Sequence, residues 1–317
     1  SGRGAAAKHG SLPDPAQDPF GASQQHDDTA TRQKWPEGHI SALAQAARRN
    51  DGVAPLSEAF LLDLRSPHPR STHLTAQIDG ELVGYGQVDP AGATELVVHP
   101  DHRHAGVARD LWKRALAAGA TSLWAHGGLP ASAAFASGLG LTAVRELHRM
   151  ERPLGEADLT EPEFPSGFSH RIFAPGVDDQ AWVALNAAAF AGHPEQGRLT
   201  LSDLHERMAE PWFDAEGFFL VEDTTDAAAG PIAFHWTKVP RDGSGKGEVY
   251  VVGVHPAYQG RGLARPLTRL GTHHLASLGL RTVELYVDGA NSSALATYRG
   301  EGFTSAAVDV MYAAAPS

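Results

Sequence analysis

The chain has 317 residues, of which 42% are hydrophobic and 20% are charged, the composition of an ordinary globular protein long enough for two domains. Its formal net charge of −11 argues against nucleic acid or an anionic membrane as the main partner, because either would call for a dense basic surface. The chain has no cysteine, so disulfides, thiolate metal sites and cysteine nucleophiles are excluded.

The N-terminal residues are predicted to lie outside any domain. Residues 1–31 contain hardly any large apolar side chains, so they cannot bury enough surface to offset the entropy of ordering, and we expect a disordered leader. No apolar run approaches the ~20 residues that span a bilayer, and the N-terminus has no apolar signal segment. We therefore expect a cytoplasmic protein without membrane contact, and we take it to be a monomer.

The first half of the chain alternates helical and strand patterns. Apolar residues at helical spacing predict a helix over 39–49, and two β-type runs around Asp79-Gly80 predict a hairpin. The other predicted elements are a strand ending at Val98, a helix entered through Gly106, a strand over 122–126, a helix over 131–137 and a closing pair of strands over 141–152.

The second half repeats this order after a Glu- and Pro-rich linker over 155–167. Helices are predicted over 181–190, 201–208, 262–278 and 292–300, and strands over 217–222, 231–239, 248–254, 282–287 and 303–312. These patterns predict two α/β (mixed α+β) domains, 32–154 and 168–317, each with a mixed, mostly antiparallel sheet flanked by helices. The order is not the regular alternation of a dinucleotide-binding domain.

One segment occurs twice. The sequences VHPDHRHAGVARDL at 98–111 and VHPAYQGRGLARPL at 254–267 align without a gap, each between a β-type run and a helical pattern. Glycine at a helix start lets a ligand approach the backbone, and the free N–H groups of the first helical turn favour a pyrophosphate there. The duplication therefore predicts two copies of one domain that binds a nucleotide cofactor.

The duplicated turn resembles the acyl-CoA-binding motif of the GNAT-type N-acetyltransferases. Residues 103–108 (RHAGVA) and 259–264 (QGRGLA) both have the form Gln/Arg-x-x-Gly-x-Gly/Ala. The resemblance implies two tandem GNAT domains and acetyl-CoA as co-substrate. The turn of the first domain predicts that this domain either holds a second acetyl-CoA or merely keeps its shape. No metal is expected, because the histidines at 102, 104, 273 and 274 lack carboxylate partners at ligand spacing. The residues implied for acetyl-CoA binding in the first domain are Leu96, Val97, Val98, His104, Ala105, Gly106, Val107, Ala108 and Arg109. Those implied in the second domain are Val252, Gly253, Val254, Gln259, Gly260, Arg261, Gly262, Leu263, Ala264, Arg265, Asn291, Ser292, Ser293, Ala294, Leu295 and Ala296.

Longer segments resemble the mycothiol synthases, a family of tandem GNAT proteins from actinobacteria. They are DGVAP at 51–55, WAHG at 124–127, AAFAGHPEQG at 188–197, FHWTKV at 234–239 and GEVYV at 247–251. The resemblance implies acetyl transfer to the cysteinyl α-amine of a small-molecule acceptor, cysteinyl-glucosaminyl-inositol (Cys-GlcN-inositol). The residues that it implies for acceptor binding are Glu58, Glu195, Lys238, Glu248 and Tyr286. Glu58 would then reach from the first domain into the second, and the acceptor would bind between them.

Two alternatives stay open at this point. One is an N-acetyltransferase for another small amine or a peptide N-terminus. The other is a catalytically silent regulator that binds acetyl-CoA.

Acetyl transfer to an amine needs a base, a polarised carbonyl and an acid for the CoA thiolate. Glu248, at the start of the second cofactor strand, is the candidate base, and the resemblance implies Tyr298 as the acid. Backbone N–H groups of 252–254 would polarise the carbonyl, and Gly253 predicts a bulge or a splay that frees an N–H group from the strand pairing.

The first copy lacks these groups. Counted from the shared proline, the base position falls on Gly92, and the acid position falls on Phe135 or Ala136. We therefore expect no turnover in the first domain. Glu95 is a fallback base, disfavoured because it lies three positions further along the strand.

Overall fold

In the computed structural model, residues 36–193 and 195–315 are described, and the predicted leader over 1–31 lies outside them. Within the described residues the chain forms eight α-helices and eleven strands. The helices are Glu37–Asp51 (α1), Glu58–Arg65 (α2), Val107–Ala117 (α3), Pro130–Gly138 (α4), Asp179–Ala189 (α5), Leu201–Met208 (α6), Ala264–Ser277 (α7) and Ser292–Gly300 (α8). The strands are Thr72–Ile78 (β1), Glu81–Val88 (β2), Ala93–Val98 (β3), Ser122–Ala125 (β4), Leu141–Pro153 (β5), Phe168–Ile172 (β6), Phe218–Asp223 (β7), Pro231–Lys238 (β8), Lys246–Val254 (β9), Thr282–Asp288 (β10) and Thr304–Ala314 (β11).

Short polar side chains begin several helices. At α2 the Ser57 hydroxyl accepts from Phe60 N, and at α6 Thr200 and Asp203 form a reciprocal capping box. The helix α2 is absent from the predicted elements, because eight residues give little periodicity. Its Ser57 cap is the signal that could have found it.

All the strands join one sheet, in the order β1-β2-β3-β4-β11-β5-β10-β9-β8-β7-β6. The pairs β3–β4 and β9–β10 are parallel, and the other neighbouring pairs are antiparallel. The last strand of each half is exchanged: β11 lies between β4 and β5, and β5 lies between β11 and β10. The two halves of the chain therefore share one continuous sheet.

This exchange corrects one prediction. The closing pair of strands over 141–152 is wrong, because the segment is a single strand of 13 residues, β5. Both edges of β5 pair with strands of the second half, β10 and β11, so it needs no hairpin partner of its own. The predicted linker over 155–167 lies between the end of β5 and the start of β6.

Helices cover both faces of the sheet. His235 and Trp236 are neighbours on β8 and therefore point to opposite faces. Trp236 packs on Trp182 of α5 with ring centroids 5.4 Å apart, whereas the His235 ring leaves room only for glycine at Gly271 of α7. We call the face that carries α1, α2, α5 and α6 the front face, and the face that carries α3, α4, α7 and α8 the back face.

The front core of the second half is aromatic. Phe218 and Trp236 stack with centroids 4.4 Å apart, and the edge of Trp182 meets Phe234 at 5.4 Å. Burial of such large rings contributes much of the stability of a domain. The rings form a rigid layer under β8 and β9, whose ends carry the candidate site.

Candidate active site

The duplicated segment folds twice into the same corner. His99 N donates to Val83 O and His255 N donates to Ile232 O, each at 2.8 Å. Each of these histidines also accepts, through Nδ1, from the backbone N–H two residues later. The repeated sequence thus makes a repeated corner between a strand and a helix.

Each corner leads into a helix whose first N–H groups are not capped by a side chain. Gly106 (φ 83°) precedes α3 and Gly262 (φ 78°) precedes α7, both in the left-handed region where other residues are strained. Uncapped helix starts hold anions, so both turns can accept a pyrophosphate. In the first turn, Arg103 makes a bidentate ion pair with Asp51 of α1, at 2.7 and 2.8 Å. The second turn has Gln259 at that position.

The parallel strands at each corner separate after a short paired stretch. β9 and β10 pair only from Lys246 to Val249, and β3 and β4 pair only at Ala93 and Thr94. Beyond Val249 the β10 side of β9 has no strand partner. Backbone groups there are free to meet a ligand that enters between the strands.

A β-bulge lies at Tyr250 and not at Gly253. Of the two features predicted at Gly253, a bulge or a splay, only the separation of β9 from β10 is present. Two consecutive residues of β8 pair with Val251 and Val249, so Tyr250 is the extra residue. Gly253 pairs regularly with Phe234, and a Cβ at that position would lie 2.9 Å from the Phe234 ring. Glycine at 253 therefore serves close packing. Bulges next to active sites redirect side chains, and this one orients the Tyr250 ring.

Glu248 lies on the front face between two charged neighbours, Lys238 on β8 and Glu284 on β10, with which it is in register. Burial raises the pKa of Glu248, Lys238 opposes the shift, Glu284 adds to it, and the result is about 7. Burial also lowers the pKa of Lys238. A carboxylate with a pKa near 7 is well matched to accept a proton at neutral pH.

Two cationic side chains, Arg149 and Lys246, lie beside the Glu284 carboxylate. Arg149 Nη1 donates to Glu284 Oε2 at 3.0 Å, and Lys246 Nζ lies 3.8 Å from the same oxygen. These cations offset the charge of Glu284. The pKa of Glu248 is therefore raised chiefly by burial.

Glu58, in the first turn of α2, reaches into the second half of the chain. Its carboxylate accepts hydrogen bonds from Lys238 Nζ and from the Tyr250 hydroxyl. The Tyr250 oxygen accepts from Arg207 Nε at 3.0 Å, and Lys238 Nζ lies 4.8 Å from the centre of the Trp212 ring. The expectation that Glu58 crosses between the halves is confirmed.

Tyr286 and Glu195 lie further along the front face. Alternation on β10 places Glu284, Tyr286 and Asp288 on this face, with about 6.6 Å between successive members. Tyr286 is 46% exposed, and partial burial and nearby carboxylates raise its pKa. Glu195 accepts from Arg145 Nη1 at 3.1 Å, and Arg145 Nε donates to Asp288 at 2.6 Å. Four of the five predicted acceptor residues thus lie side by side, and Glu195 joins them through Arg145.

Tyr298 lies on the back face, in the core with Val249 and Leu285. Burial raises its pKa to about 12, and its hydroxyl makes no hydrogen bond among the residues that the structure describes. Val249 and Leu285 form the last parallel pair before β9 and β10 separate. Tyr298 therefore borders this opening from the back, whereas Glu248 faces the front.

The bulge shifts the correspondence between the halves by one residue. Tyr250 has no counterpart in β3, which pairs with β2 without a register shift. Glu248 therefore corresponds to Ala93, and the counted correspondence to Gly92 is wrong. Neither residue carries a carboxylate. The acid position falls in α4, where Phe135 packs against the core.

A buried ion-pair network occupies the front face of the first half. The protonated His126 ring donates to Glu95 Oε1 at 2.8 Å and to Asp309 Oδ2 at 3.0 Å. Glu95 Oε2 also accepts from Ser57 N, and Asp309 Oδ1 accepts from Gly127 N. Burial would lower the pKa of His126, but the two carboxylates outweigh it and raise the pKa to about 10. Both oxygens of Glu95 are engaged, so it is not a free base.

The residues predicted for acetyl-CoA binding lie at the two corners and at the start of α8. Asn291 caps α8 by accepting from Ala294 N at 3.1 Å. The side chains of Val97, Leu263 and Leu295 are buried, so only their backbone can meet a ligand.

Sequence reasoning missed the side chains that hold the predicted ones: Glu284, Tyr250, Arg207, Arg145 and Asp288. Tyr250 stands in the quoted segment GEVYV, so its signal was present. The contacts of Arg145 and Arg207 join distant parts of the chain and leave no local pattern.

The described residues, 36–193 and 195–315, contain neither a candidate metal site nor a membrane-spanning helix. No group of three or more His, Cys, Asp or Glu side chains there is placed to hold a metal ion. None of the helices in this part of the chain is long and apolar enough to cross a membrane.

Comparison with known proteins places this geometry in a class. Residues 182–303 match the Acetyltransferase (GNAT) family, and residues 69–137 match an Acetyltransferase (GNAT) domain. A GCN5-related N-acetyltransferase structure from Sphaerobacter thermophilus is similar, with a TM-score of 0.64, 24% identity and coverage of 88% of this chain and 93% of its own. A tandem GNAT protein from the clavulanic acid biosynthesis pathway has a TM-score of 0.64, 18% identity and coverage of 89% and 95%. The fold and the two matched segments define a tandem GNAT acetyltransferase, which confirms the predicted fold class.

Sequence relatives narrow the class further. A mycothiol acetyltransferase from Thermomonospora curvata is 50% identical over 284 residues, which cover 87% of this chain and 93% of the relative. A mycothiol acetyltransferase from Streptomyces coelicolor is 49% identical over 282 residues, which cover 86% and 90%. The chain belongs to the mycothiol acetyltransferase family, and the resemblance drawn from the sequence is confirmed.

Proposed function

We propose that the chain transfers the acetyl group of acetyl-CoA to the cysteinyl α-amine of Cys-GlcN-inositol, giving mycothiol and CoA. The observation that carries this proposal is Glu248, a front-face carboxylate with a pKa of about 7 beside the opening between β9 and β10. The identity of about half of all aligned residues to mycothiol acetyltransferases supports this choice of acceptor.

In this proposal acetyl-CoA binds on the back face of the sheet and the acceptor binds on the front face. Acetyl-CoA binds on the back face along α7 and α8, and backbone N–H groups of 252–254 polarise its thioester carbonyl. Glu248 removes a proton from the acceptor ammonium, directly or through a water molecule. The neutral amine adds to the carbonyl carbon, the C–S bond breaks as the amide forms, and Tyr298 gives its phenolic proton to the leaving thiolate. The proton that the nitrogen loses as it becomes the amide passes through solvent and restores the phenol.

The acceptor is held by the row of side chains on the front face: Glu58, Lys238, Glu248 and Tyr286, with Glu195 joined to them through Arg145. The carboxylates of Glu58 and Glu195 accept hydrogen bonds from sugar and inositol hydroxyls, and Lys238 donates to acceptor oxygens. The half-exposed Tyr286 offers a ring face and a hydroxyl in the same row. Because Glu58 belongs to the first half, the acceptor binds between the halves, a preferred place for ligands.

The first half, in the same proposal, holds a second acetyl-CoA without turnover. Its corner and its separated strands repeat those of the second half, which supports binding. Its base position is Ala93, and Glu95 is engaged by His126, which supports the absence of catalysis. One chain supplies both halves and both exchanged strands, so we take the active unit to be a monomer.

The test is an acetylation assay read by the mass of the N-acetylated product. Wild-type protein should acetylate Cys-GlcN-inositol with a kcat/KM at least about 10²-fold above that for free cysteine or spermidine, because remote binding contacts lower the barrier. Glu248→Gln should lower kcat by about 10² or more and leave acetyl-CoA affinity nearly intact. Equal rates on spermidine would point to another amine as the substrate. Normal turnover of the variant from about pH 6 to 9 would remove Glu248 from the mechanism.

A further inference from the structure

The side chain of Arg145, on the exchanged strand β5, contacts residues of both halves of the chain. It lies beyond the stretch of β5 that pairs with β10, which ends at Leu147 and Asp288. Its side chain is only 15% exposed, and its guanidinium lies 5.5 Å from the centre of the Trp124 ring of β4. Arg145 is thus a nearly buried cation at the junction between the halves.

The guanidinium joins two segments that are far apart in the sequence, one with His193 and Glu195 and one with Asp288 at the end of β10. Nε donates to Asp288 Oδ2 at 2.6 Å, and Nη1 donates to Glu195 Oε1 at 3.1 Å. Nη2 lies 3.0 Å from His193 Nε2. The fixed fork of arginine holds both carboxylates in one defined arrangement, which a single ammonium cannot do.

Asp288 in turn organises the turn that begins α8. Its Oδ1 accepts from Ala290 N at 2.9 Å, and its backbone oxygen accepts from Asn291 N at 3.0 Å. The strand β5 also contacts this turn, because Glu146 O accepts a hydrogen bond from Gly289 N at 2.9 Å. A continuous set of contacts therefore runs from Glu195 to the start of α8.

We propose that Arg145 is a positioning residue that couples acceptor binding at Glu195 to acetyl-CoA binding at the 288–291 turn. This inference rests on the proposed function, which places acceptor and acetyl-CoA at these two segments. When an acceptor hydroxyl shares Glu195, the arrangement of Arg145 and Asp288 is fixed, and with it the N-terminus of α8. Coupling of this kind is reciprocal, so CoA must tighten acceptor binding by the same factor.

Calorimetry on the full chain measures the coupling. The ligands are CoA and Cys-GlcN-inositol, which form a complex that cannot react. In wild-type protein, saturating CoA should tighten acceptor binding by about 5-fold or more. In Arg145→Gln the factor should fall to near one, while CoA alone still binds within about 3-fold of wild type. Arg145→Lys should behave in the same way, because an ammonium lacks the fork.

Arg152 provides the matched control. It lies on the same strand, is 13% exposed, forms a bidentate ion pair with Asp158, and lies 5.2 Å from the centre of the Phe303 ring. Arg152→Gln should therefore cost similar stability, read as the melting temperature, but keep the wild-type coupling factor. If Arg145→Gln does not fold, Glu195→Gln serves instead, since its side chain is 52% exposed, and it should lower the factor as well.

The outcomes separate the inference from the proposed function. Wild-type turnover with Cys-GlcN-inositol is measured first, and its absence contradicts the proposed function. Normal turnover with a coupling factor near one in wild type, or an unchanged factor in Arg145→Gln, contradicts the role of Arg145.

Discussion

Lys238 and Glu248 face each other on the adjacent strands β8 and β9, and each alters the ionisation of the other. Burial lowers the pKa of Lys238 and raises the pKa of Glu248 to about 7, while their mutual attraction opposes both shifts. A base at this position is therefore tuned by its neighbour.

Lys238→Met should move the pH dependence of kcat/KM toward alkaline pH. Activity that requires ionised Glu248 rises as pH increases through its pKa, and loss of the neighbouring ammonium raises that pKa further. The measurement is the acid limb of kcat/KM for wild type and variant with the same acceptor, so that the ionisation of the acceptor amine cancels. Lys113→Met, on an exposed position of α3, should leave the limb in place. If the acid limb of kcat/KM lies at the same pH in Lys238→Met as in wild type, Lys238 does not alter the pKa of Glu248.

Tyr298→Phe should lower kcat by about 10² with little change in acceptor KM, since only proton transfer to the thiolate is lost. A pKa of about 12 keeps the phenol protonated at every working pH, so the loss should be the same from about pH 6 to 9. The melting temperature should stay within about 2 °C, because the hydroxyl makes no hydrogen bond within the described residues. Full activity in this variant would leave Tyr298 with a packing role.

Gly106→Val and Gly262→Val should separate the two acetyl-CoA sites. A branched side chain at a left-handed position strains the turn and crowds the pyrophosphate. Calorimetry should show two equivalents of acetyl-CoA in wild type, one in Gly106→Val with activity kept, and one in Gly262→Val with activity lost.

Gly279→Val is the control for backbone strain alone. Gly279 has φ 80° and open space around it, and it follows the far end of α7. It should keep both binding equivalents. Two results would refute the proposal that the first half only binds acetyl-CoA and the second half catalyses the transfer. One is a single binding equivalent in wild type, and the other is loss of activity in Gly106→Val with binding at the second site preserved.

Asp309→Asn should destabilise the fold by about 3 kcal/mol near pH 6, because it removes one partner of a buried charge. The pKa of Asp309 is lowered in the folded protein. Ionised Asp309 therefore stabilises the fold fully above the ordinary pKa of an aspartate, near pH 4, and this stabilisation is lost at more acidic pH. The raised pKa of His126 makes the contribution of the imidazolium complete below about pH 6.5 and lost as pH rises through about 10. The difference in free energy of unfolding between wild type and variant should therefore shrink from pH 6 to alkaline pH.

Asp101→Asn is the exposed counterpart of that change. Asp101 is 84% exposed and lies 3.8 Å from His99, so its loss should cost less than about 0.5 kcal/mol at any pH. Denaturant unfolding of both variants at pH 6 and pH 10 provides the comparison. An equal, small effect in Asp309→Asn would mean that the network with His126 and Glu95 contributes nothing to stability.

Features that depend on residues close together in the chain could be predicted from the sequence. The duplicated corner follows from His99 and His255, whose side chains bond to N–H groups two residues away. The hairpin at Asp79-Gly80 follows from two residues that accept positive φ, 51° and 83°. The candidate base Glu248 could be placed because its strand leads directly into the repeated motif.

Features that depend on residues far apart in the chain became visible in the folded protein alone. A strand pattern is the same whichever strand it pairs with, so the exchange of β5 and β11 leaves no mark on local periodicity. The network of Glu95, His126 and Asp309 depends on that exchange. The bulge at Tyr250 is a matter of register, which is set by the pairing of β8 with β9. Burial likewise comes from the whole fold, and it is burial that brings the pKa of a carboxylate to about 7.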